Sequence, residues 1–227
     1  MKKIKKKKLK KAIDKIASEL KWKVKNEVGG GYYEVVSDPI LRTHIIYWPA
    51  PGSTSGPPRL IELAHELVHA LFAENIHLQF SGSYFKPGTP ENLIREVTWA
   101  CRSATDWFID AELMRRCPAE EKKEIQEHVA MIMHILNKKG LENDTFFNIS
   151  AGFLLAQAKL YFDQEFVCGP AVRSVMEAFL SVPPKTPSIR ALEDLTNKVL
   201  ATYTDLRVQL VRSGGSEVWE IVENKTK

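Results

Sequence analysis

The chain has 227 residues, of which 44% are hydrophobic and 26% charged, so it can form one sizeable domain with a packed core. The longest apolar stretch, residues 149–156, is far too short to cross a bilayer, which argues against a membrane-spanning protein. The formal net charge is +4, but residues 2–11 contain eight lysines and the remainder is mildly acidic, so the surface as a whole is not basic.

The N-terminal lysines fall within a predicted helix over about residues 4–23. Apolar residues recur there at spacings of four, three and four, which gives the helix one apolar stripe: Leu9, Ile13, Ile16 and Leu20. The lysine run could serve as an arm for nucleic acid or for an anionic membrane. It lacks arginine and interleaved aromatic residues, which favours a solvated helix terminus over a specific nucleic-acid surface.

Two short strands are predicted next, followed by a loop. Residues 32–36 and 41–48 are rich in β-branched and aromatic residues, and Ser37-Asp38-Pro39 between them is typical of a turn. The stretch 49–58, PAPGSTSGPP, is predicted to be a loop because its prolines and glycines are incompatible with regular structure.

From residue 59 the pattern is helical. Caps and apolar periodicity predict helices over about 59–74, 90–116, 119–138, 144–162, 170–182 and 188–212. The predicted fold class is therefore α+β and predominantly helical: a small N-terminal sheet on two central helices, followed by a helical C-terminal half. The predicted organisation is a basic helix at 1–28, a core at 29–118 and a helical extension at 119–227 packed on that core.

The most informative motif is His65-Glu66-Leu67-Val68-His69, inside the helix predicted over residues 59–74. Two histidines four residues apart lie one helical turn apart on the same face, so both imidazoles can reach one Zn²⁺. Glu66 can swing toward a water at such a site and take its proton. The motif predicts a zinc-dependent hydrolytic site, with His65 and His69 as ligands and Glu66 as general base.

A catalytic zinc commonly has a third protein ligand. No histidine follows His69 at the metzincin spacing, so the ligand is expected to be a carboxylate on the next helix. That helix offers Glu91, Glu96, Asp106, Asp110 and Glu112. Glu96, Asp106 and Asp110 share one broad helical face, so the spacing alone does not separate them. A second group that stabilises the oxyanion is often a Tyr or His, and the sequence does not decide among four candidates: Tyr84, His77, His128 and His134.

On these residues the sequence resembles the gluzincin metallopeptidases. In that clan a second helix carries a carboxylate ligand, and an Asp four residues later supports a zinc histidine. The resemblance implies that Asp106 is the third ligand and that Asp110 fixes a histidine tautomer, although Asp106 stands where the clan usually has Glu. Glu96 is the rival ligand, because it lies 27 residues after His69, a separation similar to that in small regulatory peptidases of the ImmA/IrrE type.

The resemblance implies a cytoplasmic zinc metallopeptidase whose zinc-activated water hydrolyses peptide bonds in a protein or peptide substrate. It is also compatible with a regulatory role, such as cleavage of a repressor or antitoxin. It also implies that the strand at 41–48 is an edge strand that pairs with the substrate. Two alternatives remain: a non-catalytic zinc protein, and a helical interaction protein that binds nucleic acid through its lysines. The absence of an apolar leader, and three cysteines without C-x-x-C spacing, favour the cytoplasm.

Overall fold

A computed structural model of the chain describes residues 2–29, 32–50, 59–136, 141 and 143–224. Within these ranges, side chains are described from residue 7 onward. Most of the loop predicted over 49–58, and two of the three glycines at 29–31, lie outside the described residues. The elements are α1 Lys2–Glu19, β1 Lys23–Val28, β2 Glu34–Asp38, β3 Thr43–Trp48, α2 Leu60–Asn75, α3 Glu91–Arg116, α4 Pro118–Leu136, α5 Thr145–Phe162, α6 Pro170–Leu180, α7 Ile189–Leu200, β4 Leu206–Ser213 and β5 Ser216–Glu223. The predicted class, α+β and predominantly helical, is confirmed.

The chain divides into two compact units, with the boundary inside α3. One contains residues 1–82 and 109–121, and the other contains residues 83–108 and 122–227. None of the helices in the described ranges combines the length and hydropathy that crossing a bilayer requires.

The first unit is built on a three-stranded sheet in the order β1-β3-β2. β1 runs parallel to β3, and β2 runs antiparallel to it. β3 is therefore the central strand, and the expectation that residues 41–48 form a substrate-pairing edge is wrong, because both sides of β3 are already hydrogen-bonded. β1 was not predicted, since its residues, KVKNEV, are mostly polar and exposed and give no alternating pattern.

Two helices cover this sheet region. α1 packs on α2 through its apolar stripe, with Leu9, Ile13 and Ile16 buried as the helical spacing predicts. At the end of α1, the Glu19 carboxylate accepts two hydrogen bonds from the Arg116 guanidinium, at 2.6 and 2.9 Å. This pair holds the pKa of Glu19 below its usual value. α2 in turn contacts β2, so the metal-motif helix lies against the sheet.

The second unit is held by helix packing and closed by a hairpin. Trp107, Phe153 and Phe179 form an aromatic cluster with ring centroids 5.3–6.3 Å apart, and the Trp107 indole donates to the Val182 carbonyl at 2.9 Å. Beyond α7, β4 and β5 pair antiparallel around Gly214 and Gly215, both with positive φ as a two-residue hairpin turn requires.

The helix predicted over 188–212 is therefore wrong beyond residue 200. Residues 206–213, LRVQLVRS, place Leu206, Val208 and Leu210 at alternate positions, which is a strand period. The pattern is short and ambiguous by itself, but the Gly-Gly pair that follows is a hairpin signal. Pairing with β5 then satisfies the backbone groups that a continued helix would otherwise have bonded internally.

Candidate metal centre

α2 presents the two motif histidines from a well-packed helix. Its start is stabilised by Glu62, whose carboxylate accepts from the Arg59 backbone N–H at 3.2 Å and from the Arg59 side chain at 2.8 Å. Ala64, Leu67, Val68 and Leu71 are buried at helical spacing. This buried face fixes the rotation of α2, so that His65 and His69 point together from an adjacent, half-buried face.

The hydrogen bonds of the two imidazole rings define their tautomers. Nδ1 of His65 lies 3.0 Å from a carboxylate oxygen of Asp110. Nδ1 of His69 contacts the backbone carbonyl of Phe80. Since a carbonyl and a carboxylate accept hydrogen bonds, both Nδ1 atoms are donors, and in the neutral rings both Nε2 atoms carry a lone pair.

Those two Nε2 atoms face each other at 2.9 Å. With neutral rings, neither atom has a proton to donate, so the contact would bring two lone pairs together. A cation between them removes this repulsion. Two nitrogens on a tetrahedral Zn²⁺, each at 2.0–2.1 Å, lie about 3.3 Å apart, so a shift of a few tenths of an ångström would make the pair suitable ligands.

A carboxylate completes the group of potential ligands. One oxygen of Asp106 and one nitrogen of each of His65 and His69 all lie within 4.8 Å of one another. On the continuous helix α3, Asp106 lies one turn before Asp110. Two imidazoles and one carboxylate form a donor set that fits a catalytic zinc.

Glu96, the rival ligand, is not part of this group. Its carboxylate accepts a hydrogen bond from the Thr204 hydroxyl at 2.7 Å, and its backbone carbonyl accepts from the Tyr203 hydroxyl at 3.0 Å. Ten residues of α3 separate it from Asp106, about 15 Å along the helix axis. Of the two candidates left open by the sequence, Asp106 is the one near the histidines.

Glu66 lies next to His65 on α2 and is half-buried. Within the described part of the chain its carboxylate makes no hydrogen bond or ion pair that would hold it in a structural role. Of the four candidate oxyanion donors, His77 is engaged elsewhere, since its Nδ1 accepts from the Gln79 backbone N–H at 3.2 Å.

Two supporting features could not be read from the sequence. The first is the Phe80 carbonyl that orients His69, because a backbone acceptor leaves no side-chain signature. The second is a buried network at the end of α2. There the Glu74 carboxylate accepts from His44 Nε2 at 2.9 Å and from the backbone N–H groups of Lys21 and Trp22 at 2.8–3.0 Å.

The charges of this network follow from burial and hydrogen bonding. Burial lowers the pKa of His44 below its ordinary value, against the pull of Glu74. Burial acts to raise the pKa of Glu74, but hydrogen bonds from Trp22, His44 and Lys21 outweigh it and hold that pKa low. Neutral His44 therefore donates to Glu74 and accepts from the Ser37 hydroxyl at 2.7 Å, which ties α2 to the sheet.

Comparisons with models of known protein families, with curated proteins and with solved structures found no match.

Proposed function

We propose that this protein is a zinc-dependent metallopeptidase of gluzincin type, with His65, His69 and Asp106 as metal ligands and Glu66 as general base. The observation that carries the proposal is the 2.9 Å approach of two Nε2 atoms whose rings both donate from Nδ1. If His65 and His69 were only polar residues on the surface of α2, nothing would require both Nε2 lone pairs to point toward the same position.

The donor set supports a catalytic role over a structural one. A structural zinc site usually closes all four positions with Cys or His, whereas the ligand group among the described residues has three members. A carboxylate adjacent to the first ligand is also unnecessary in a structural site. When bound, zinc would polarise the scissile carbonyl and lower the pKa of a water molecule.

The chain's own residues would supply the remaining steps. Glu66 accepts a proton from the attacking water and delivers it to the leaving amine. Asp110 and the Phe80 carbonyl keep the two histidines in the tautomer that leaves Nε2 available. The substrate would be an extended protein or peptide segment.

Binding of that segment is proposed at β2 instead of β3. Among the described strands β2 has one neighbour, β3, and it contacts α2. Its outer edge can add an extended peptide by main-chain hydrogen bonds, which places little demand on substrate side chains. A cytoplasmic setting agrees with the three free cysteines.

The test compares Glu66→Gln with Glu62→Gln, a matched change one turn earlier on α2. Zinc per chain is measured by mass spectrometry, and cleavage is measured on a quenched fluorescent peptide library and on unfolded protein. We expect about one zinc per chain in all three proteins. Cleavage by Glu66→Gln should fall by about 10²–10⁴-fold, the usual contribution of a general base, while Glu62→Gln stays active.

Three results would contradict the proposal. The first is wild-type protein that binds no zinc at neutral pH, and the second is a site that selects iron over zinc. The third is full activity in Glu66→Gln. Zinc binding without cleavage of any substrate would instead support the non-catalytic zinc protein.

A further inference from the structure

The turn between β2 and β3, residues 39–42, exposes two large apolar side chains to solvent. Ile40 is 90% exposed and Leu41 is 70% exposed. The turn is stabilised by a side-chain cap, because one Asp38 carboxylate oxygen accepts hydrogen bonds from the backbone N–H groups of both residues at 2.8 Å. We call residues 39–42 the tip turn.

The backbone of the tip turn also departs from ordinary geometry. Arg42 has a φ of +47°, in the left-handed region that non-glycine residues seldom adopt. Such a conformation persists where the surrounding structure imposes it, and it is found more often at functional sites. A side-chain cap and a left-handed residue therefore keep Ile40 and Leu41 pointing outward, where they cannot contribute to a core.

Basic residues lie beside this apolar tip. Arg42 is exposed, and its carbonyl accepts from the Lys23 backbone N–H at 3.0 Å, so β1 begins beside the turn. Lys21 and Lys23 are exposed there as well. The first 50 residues contain thirteen Lys and Arg against five Asp and Glu, and eight of the thirteen are the lysines of residues 2–11 in α1.

We propose that the tip turn docks on the surface of a bilayer that contains anionic lipid. Ile40 and Leu41 enter the boundary between headgroups and acyl chains, and Arg42, Lys21 and Lys23 contact lipid phosphates. Peripheral binding of useful strength needs two signals, and an apolar insertion combined with a basic cluster supplies both. The lysines of α1 add long-range attraction to a negative surface.

Nucleic acid fits these residues less well. Phosphate groups would attract the lysines, but they would leave Ile40 and Leu41 facing water. Single-stranded nucleic acid is usually bound by aromatic stacking and arginine, whereas the cations of α1 are all lysine. The combination of an apolar tip with a basic rim is complementary to the layered chemistry of an anionic bilayer.

The experiment is sedimentation of the full-length protein with vesicles of phosphatidylcholine alone or mixed with phosphatidylserine. We expect binding to the mixed vesicles at low salt, and little to phosphatidylcholine. Ile40→Ser combined with Leu41→Ser should weaken partitioning by about tenfold or more. Lys23→Gln should weaken it by about fivefold, because one cation near the surface is lost.

Val167→Ser is the matched control, since Val167 is 92% exposed in the segment between α5 and α6. It should bind vesicles like the wild type. All the substituted side chains face solvent, so unchanged thermal unfolding shows that each variant is folded.

Absence of binding to the mixed vesicles would overturn the proposal. Equal binding by the wild type and the Ile40/Leu41 double variant would also overturn it, because adsorption through lysines would then account for the result. A labelled DNA duplex that binds the wild type but not the double variant would assign the turn to nucleic acid instead. None of these measurements depends on zinc or on peptidase activity.

Discussion

The hydrogen bond between His65 and Asp110 allows a quantitative prediction for zinc affinity. The two side chains are 25% and 14% exposed, so water screens their 3.0 Å interaction only in part. Removing a carboxylate that supports a zinc histidine typically weakens metal binding by about 10–100-fold, or about 1.4–2.7 kcal/mol. Asp110→Asn retains an acceptor but loses the charge, so we expect the lower end of that range. Asp110→Ala loses both and should reach the upper end.

The assay is competition for zinc with a fluorescent chelator at neutral pH, which gives the dissociation constant of each variant. Asp106→Ala should weaken binding more than either Asp110 variant, because it removes a direct ligand. Glu96→Ala is the control on the same helix and should bind like the wild type, since its partner is Thr204.

Two results would refute this reasoning. If Glu96→Ala lost as much affinity as Asp106→Ala, the assignment of the third ligand would be wrong. If Asp110→Ala bound zinc like the wild type, Asp110 would not orient His65 in solution.

Two further predictions concern stability. Lowering the pH below 6.5, the ordinary pKa of histidine, should reduce the free energy of unfolding of the metal-free protein. Burial keeps the pKa of His44 below that value in the folded state, so the unfolded chain binds more protons and the stabilisation present above pH 6.5 is lost on acidification. Urea titrations at several pH values should show that the free energy of unfolding depends less on pH in His44→Gln than in the wild type. An equal dependence in both proteins would contradict the assignment of this effect to His44. Gly152→Ala should destabilise by about 1–3 kcal/mol, because its Cβ would lie 2.6 Å from Val175 on the neighbouring helix. Adding Val175→Ala should cost less than the sum of the single changes in denaturant titrations, and strict additivity would argue against the clash.

The α2 helix illustrates what the sequence could predict. Its uninterrupted apolar periodicity specified the helix, and the four-residue spacing put His65 and His69 on one face, because helical geometry is local. The sequence did not distinguish Asp106 from Glu96. Both lie on one face of α3, and the choice depends on the tertiary contacts that engage Glu96 with Thr204 and bring Asp106 near the histidines.

The strands show the opposite case. β1 forms because β3 offers it hydrogen-bonding partners, and its polar sequence carries no signal of that pairing. The order β1-β3-β2 is likewise a long-range property, so the sequence could not tell that the strand at 43–48 is central. At the C-terminus the strand period of β4 was present, but it was short enough to be read as the end of a helix.

The N-terminal helix α1 has a buried face that packs on α2 and an exposed face that carries its charge. Leu9, Ile13 and Ile16 attach it to α2, and Glu19 anchors its end through Arg116. Its described lysines are on the exposed side and take no part in that packing. The charge of this helix is therefore independent of the contacts that hold it, so one lysine at a time can be exchanged for a neutral residue without removing a buried contact.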